Sequence, residues 1–171
     1  MVDRDGEDFR RFALETHVRG LVKLCRERQT LTRKIRLAAA DAVAWAFRLR
    51  DDLLSDWDGY PEGFKNGATW ARHRITHGDA HLLTLAPSSE IDGSFDSSDI
   101  LFNDPELTPD GRLPAEGWTV RFAAVEQPIG GDRRNELRLD YNRHVAGRRV
   151  VVVCGLLAGR RTLGNPFVST S

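Results

Sequence analysis

The chain has 171 residues, of which 40% are hydrophobic and 29% are charged, and its formal net charge is zero. This length and balance fit one globular domain with an appendage and exclude a wholly disordered chain. The zero net charge predicts no polyanionic partner, although residues 1–50 hold 12 Lys and Arg against 7 Asp and Glu.

The N-terminus and the two cysteines bear on location. The first residues are charged, unlike a signal peptide, and no run reaches the roughly 18 apolar residues of a membrane span. Cys25 and Cys154 lie far apart within apolar segments, without a CxxC pair, and are expected to be buried free thiols. We therefore expect a cytoplasmic protein that does not associate with membranes.

Two amphipathic helices are predicted in the first third of the chain. Apolar residues recur at helical spacing over residues 7–29 and again over residues 31–54. The second segment has an alanine-rich centre with high helix propensity, and Thr30 or Thr32 is placed to cap its start. The two helices are predicted to form an antiparallel hairpin.

Turn residues fill positions 55–67, and a third helix is predicted from Ala68 to Leu85, with Asn66 or Thr69 near its cap. Gly78 interrupts this pattern, at a cost of about 1 kcal/mol relative to Ala. Residues 86–117 hold 8 acidic residues and one basic residue, and they are predicted to form a long loop.

Three β-strands are predicted after residue 117, in "WTVRFAAVE", "ELRLDYNRHV" and "RRVVVVCGLL". Apolar and polar residues alternate in the second, "AGRR" reads as a hairpin turn, and the valine run suits a strand covered on both faces. Three strands are unstable alone, so this sheet is expected to pack on the helices. The predicted class is α+β: a helical bundle over residues 1–85, an acidic loop over 86–117, and a small three-stranded antiparallel sheet over 118–171.

The segment "WARHRITHGDAH" (residues 70–81) places His73, His77 and His81 four residues apart. On a helix His73 and His81 lie about 12 Å apart along the axis, too far for one metal ion to bind both. Two adjacent histidines with Asp79 remain possible ligands, so a histidine-based metal-binding protein is one alternative.

Acid–base chemistry on RNA is a second interpretation of this segment. Histidine titrates near neutrality, so His73 and His77 suit the removal of a proton from a ribose 2′-hydroxyl and its return to a leaving oxygen. The planar guanidinium of Arg72 suits the phosphate because it binds two oxygens at once.

These residues resemble the signature of the HEPN family, in which an Arg precedes a His by a spacer of four to six residues. "RHRITHG" matches position by position: Arg72, polar His73, aliphatic Ile75, small Thr76, His77 and Gly78. The resemblance covers the N-terminal helical half. It implies a helical bundle, a homodimer, and a metal-independent endoribonuclease without a cofactor, of a kind found among toxins and phage-defence effectors with an antitoxin or regulatory partner. Arg72 is then the phosphate ligand, His77 the main proton-transfer residue and His73 its support.

Two less specific interpretations stay open: a non-catalytic HEPN-like binding module, and a solvated helix face that is rich in His and Arg. A basic cluster in "CRERQTLTRKIR" is a candidate nucleic-acid-binding surface, with a solvated hinge as its alternative. The candidate nucleic-acid-binding residues are Arg26, Arg28, Arg33, Lys34, Arg36 and Arg74. "GGDRRNE" (130–136) is predicted to be a strand-connecting loop, and it lacks the spacing of a nucleotide-binding phosphate loop.

Overall fold

The computed structural model describes residues 4–26, 30–54, 57, 60–78, 82–87 and 117–158. Within these residues the chain forms five α-helices, one π-helical segment and a two-stranded sheet. In chain order the elements are α1 (Arg4–Arg26), α2 (Arg33–Arg48), the π-helix (Leu49–Leu54), α3 (Glu62–Thr76), β1 (Leu83–Pro87), β2 (Trp118–Phe122), α4 (Leu137–His144) and α5 (Val150–Ala158).

The predicted helical hairpin is confirmed. Thr32 caps α2, since its Oγ1 accepts a 3.2 Å hydrogen bond from the Ile35 N–H. Trp45, near the end of α2, contacts the ring of Phe9 near the start of α1 and that of His17 near its middle, so the two helices run antiparallel. The buried stripe of α1 consists of Leu14, Val18, Leu21 and Cys25.

The third helix begins earlier and ends earlier than predicted. It starts at Glu62, directly after Pro61, because proline suits a helix start and breaks a helix only in the interior. Gly78 does not interrupt the helix but follows its end in a left-handed conformation, with φ of 77°. The segment from Leu83 onward, predicted as helical, instead forms β1.

Glycine in the predicted turn serves helix packing. A β-carbon on Gly67 would lie 2.8 Å from Tyr141 Cα and 2.9 Å from the Asp140 carbonyl oxygen. The backbones of α3 and α4 therefore approach more closely than any residue with a side chain at position 67 allows. Gly67 thus permits close contact between two helices, a role that the turn preference of glycine does not predict.

Two of the three predicted strands are helices, so the three-stranded sheet is wrong for the described residues. "ELRLDYNRHV" contains α4, where Tyr141 and Val145 are buried at a spacing of four while Leu139 is 60% exposed. "RRVVVVCGLL" contains α5, in which every residue from Val150 to Ala158 is buried. An apolar run buried on all sides has no period that separates helix from strand, and tertiary packing overrides the β preference of valine. "AGRR" joins these helices, with Gly147 at φ of 84°.

The sheet pairs β1 with β2 in antiparallel register, from Leu83 opposite Phe122 to Pro87 opposite Trp118. A mixed α and β fold is thus confirmed, with one of the predicted strand segments, "WTVRFAAVE", forming β2. The Gly147 N–H donates to the Phe122 carbonyl at 2.7 Å, which ties β2 to the connection between α4 and α5. Most of the predicted acidic loop, residues 88–116, lies outside the described residues.

Helix α5 is the most apolar of the helices, and its last turn accepts hydrogen bonds from the π-helix and from the residue before Pro61. Arg50 Nε donates to the Leu157 carbonyl at 2.7 Å, and the Tyr60 hydroxyl donates to the carbonyl of Leu156. A cation suits this end because the unpaired carbonyls carry partial negative charge. No helix in the described part of the chain is long and apolar enough to cross a membrane.

Candidate acid–base site

Two of the three predicted catalytic side chains meet at the C-terminal end of α3. The rings of His73 and His77 lie 4.4 Å apart between centroids, at an interplanar angle of 62°. Their spacing of four residues places them on one face of the helix. His73 is half-buried, whereas His77 follows the last helical residue and is exposed. His81 lies outside the described residues.

Arg72 points to a different side of α3. Its Nη1 lies 3.0 Å from Asp51 Oδ2 in an ion pair whose two side chains are both more than 40% exposed. Its guanidinium also lies over the ring of Phe47, at 4.7 Å from the centroid. An exposed ion pair contributes about 0–1 kcal/mol, so a phosphate group is able to compete with Asp51 for this guanidinium.

The face that carries the histidines is joined to the loop between β2 and α4 through Asp132, whose side chain is only 2% exposed. Its Oδ2 accepts a 2.8 Å hydrogen bond from Trp70 Nε1, and its Oδ1 accepts a 2.9 Å bond from the Arg134 N–H. Arg74 Nη1 lies 3.9 Å from the same Oδ2, and its side chain is only 17% exposed. Arg74, predicted to bind nucleic acid, is thus directed toward a carboxylate.

The charges at this junction act on His73. Burial lowers the pKa of the His73 imidazole below its ordinary value. The positive charges of His77, Arg134 and Arg74 lower this pKa further, and the negative charge of Asp132 opposes them. The structure thereby favours the neutral form of His73, which is the form that accepts a proton.

Asp132 remains ionised despite its burial. Burial alone raises the pKa of its carboxyl, and the hydrogen bonds from the Arg134 N–H and the Trp70 indole lower it. The positive charges of Arg74 and His73 add to them, and the net pKa lies below its ordinary value. No role was predicted for Asp132 or Arg134; the available signal was an Asp that follows two glycines in a predicted loop, a context that favours an Asx turn.

A groove of about 470 Å³ runs between α2 and the end of α3. Arg33 and Arg36 lie on one wall, Thr76 and Gly78 lie on the other, and Leu37 stands at the rim with 63% exposure. The Nε atom of Arg36 is buried and has no hydrogen-bond partner among the described residues. The groove therefore brings part of the predicted basic cluster next to the segment that carries His77.

The other residues of that cluster do not line the groove. Lys34 is exposed on the first turn of α2, and Arg26 is exposed at the end of α1, where its backbone adjoins Gly117. Arg28 lies outside the described residues. Where the structure describes the chain, no group of three or more His, Cys, Asp or Glu side chains is arranged to hold a metal ion.

The chain matches no protein-family model, no curated protein and no solved structure. The resemblance to the HEPN family therefore rests on residues 72–78 and on the helices that precede them, and it stays a prediction.

Proposed function

We propose that the protein is a metal-independent endoribonuclease that acts in the cytoplasm on single-stranded RNA. The observation that carries this proposal is the His73–His77 pair, with 4.4 Å between ring centroids at an accessible helix end beside arginine side chains. Two imidazoles at this separation suit the transfer of protons to and from one phosphodiester. The HEPN-like signature supports the same reaction and adds a homodimer and a regulatory protein partner, such as an antitoxin, to the proposal.

In the proposed reaction His73 is the base and His77 the acid. Neutral His73 takes the proton of the ribose 2′-hydroxyl, whose oxygen forms a bond to phosphorus. The bond from phosphorus to the 5′-oxygen of the next nucleotide breaks, and protonated His77 supplies the proton that this oxygen requires. The products are a 2′,3′-cyclic phosphate and a free 5′-hydroxyl, and no external oxidant or reductant is needed.

The groove between α2 and α3 is the proposed path of the RNA strand. Arg33 and Arg36 neutralise backbone phosphates, and the exposed Leu37 offers an apolar contact for a base. Arg72 reaches a phosphate by exchanging its ion pair with Asp51. Binding and proton transfer thus use neighbouring surfaces at the same end of α3.

The test is cleavage of end-labelled single-stranded RNA by the purified protein in excess EDTA. General acid–base catalysis contributes about 10²–10⁴-fold, so His73→Ala and His77→Ala should each abolish visible cleavage. His17→Ala is the matched control, because His17 lies on α1 and stacks on Trp45, apart from the pair. Equal cleavage by wild type and His77→Ala would contradict the proposal. If wild type and the variants all bind RNA and none of them cleaves it, the protein is a binding module instead.

A further inference from the structure

The loop between β2 and α4 is fixed to the histidine face of α3 by its own hydrogen bonds. Besides the contacts of Asp132 with Trp70 and the Arg134 N–H, the Asn135 side chain donates to the Ile129 carbonyl at 2.6 Å and accepts from the Ile129 N–H at 2.9 Å. The backbone around Arg134 is therefore held in a defined position, two residues after Asp132, whose buried carboxylate contacts α3.

The side chain at this fixed position is available for a ligand. Arg134 is exposed, and its guanidinium makes no hydrogen bond or ion pair with any residue in the described ranges. The other two arginines of the site have carboxylate partners that a phosphate would have to displace, Asp51 for Arg72 and Asp132 for Arg74. A guanidinium binds two oxygens of one phosphate, a geometry that a single imidazole cannot provide.

We propose that Arg134 binds the scissile phosphate at the His73–His77 pair, so that the site is built from α3 together with the Asp132-anchored loop. This inference rests on the proposed function for the identity of the phosphate as part of an RNA strand. Asp132 is a positioning residue here, because it fixes the Arg134 backbone and does not face the strand itself. The effect of Arg134 on the pKa of His73 supports a location close to that ring.

The test uses an RNA oligonucleotide that is 2′-O-methylated throughout, which lacks the attacking hydroxyl and so binds without being cleaved. Its affinity for the purified 171-residue protein is measured by fluorescence anisotropy over a range of salt concentrations. Arg134→Ala retains the backbone N–H that donates a hydrogen bond to Asp132. Arg133→Ala is the matched control, because it removes the same charge from the adjacent exposed position. Arg134→Lys keeps the charge without the planar fork.

We expect Arg134→Ala to weaken binding about tenfold, as for the loss of a charge-assisted hydrogen bond. The slope of log affinity against log salt should fall by about 0.7, because one phosphate contact of a single strand is lost. Arg134→Lys should retain that slope, and Arg133→Ala should match wild type in affinity and slope. In NMR spectra the oligonucleotide should shift the ring resonances of His73 and His77 in wild type and in Arg133→Ala, and should shift them less in Arg134→Ala.

Equal effects of Arg133→Ala and Arg134→Ala, or an oligonucleotide that leaves both histidine resonances unmoved in wild type, would overturn the inference. Cleavage of ordinary RNA separates the two proposals. If Arg134→Ala weakens binding as expected, Arg133→Ala does not, and wild type fails to cleave, the ribonuclease proposal fails and Arg134 stands as a phosphate-binding residue. If wild type cleaves and Arg134→Ala cleaves equally well, the ribonuclease proposal stands and the Arg134 site fails.

Discussion

The indole N–H of Trp70 donates a 2.8 Å hydrogen bond to Oδ2 of Asp132, and this bond joins α3 to the loop between β2 and α4. Trp70 is fully buried and its ring also contacts Tyr141 of α4, at 4.9 Å between centroids. One side chain thus supports both the helix packing and the carboxylate beside the histidine pair. The stability of the fold and the geometry of the candidate site depend on the same residue.

Trp70→Phe tests this dependence, because phenylalanine keeps an aromatic ring and removes the donor. Loss of the hydrogen bond to a buried carboxylate should lower the free energy of unfolding by about 1–3 kcal/mol, measured by urea denaturation at pH 7. Trp45→Phe is the control, since the Trp45 indole makes no hydrogen bond to the described residues; it should cost less.

The difference in the free energy of unfolding between wild type and Trp70→Phe should depend on pH in a defined direction. The folded-state pKa of Asp132 is lowered, so its contribution to stability is complete above the unfolded-state pKa of about 3.9. This contribution is lost as the pH falls through the folded-state pKa. The gap between wild type and Trp70→Phe should therefore narrow below about pH 4. A gap that stays constant down to acid-induced unfolding would contradict the role of the ionised carboxylate.

The pKa of His73 should respond in opposite directions to two substitutions in the same loop. Arg134→Ala removes a positive charge, which favours the imidazolium form and raises the pKa of His73. Asp132→Asn removes a negative charge, which disfavours the imidazolium form and lowers it. NMR titration of the His73 ring protons measures both, with Arg133→Ala as the control that leaves the pKa unchanged. Shifts of the same sign in both variants would contradict the arrangement of charges described for His73, His77, Arg74, Asp132 and Arg134.

The parts of the fold that sequence analysis predicted correctly depend on local signals. Thr32 caps α2 through a contact three residues away, and α1 and α2 each bury one face, so helical spacing identifies them. Helix α5 has no exposed face, and its four consecutive valines carry a strand preference that only the surrounding helices overrule. Spacing within a helix likewise predicted that His73 and His77 meet. Asp132 lies 59 residues after His73 in the sequence. Its approach to the histidine face of α3 depends on tertiary packing, which no local sequence pattern predicts.

The close approach of α3 and α4 leads to a prediction about two glycines. Gly67→Ala places a β-carbon within 3 Å of backbone atoms of Tyr141 and Asp140, and backbone cannot move aside as a flexible side chain does. The substitution should lower the free energy of unfolding by about 1–3 kcal/mol. Gly20→Ala is the control, because Gly20 is exposed on α1 and no atom lies within 4 Å of an added β-carbon. This substitution should raise the free energy of unfolding by about 0.5–1 kcal/mol, since glycine disfavours a helix. Urea denaturation of both variants measures the contrast, and changes of equal sign would contradict it.

The groove between α2 and α3 is tested most sharply at Ala44, an exposed alanine in its lining. Glutamate and lysine at this position have similar length and helix propensity, so the two variants differ mainly in the sign of the added charge. If an RNA strand follows the groove, Ala44→Glu should weaken binding of the 2′-O-methylated oligonucleotide. Ala44→Lys should strengthen it and should steepen the salt dependence by about 0.7 for one added phosphate contact.

The matched controls are Ala124→Glu and Ala124→Lys. Ala124 is exposed after β2 and is not part of the groove lining. Equal responses at positions 44 and 124 would show that the strand senses only the net charge of the protein, and would remove the groove from the binding site.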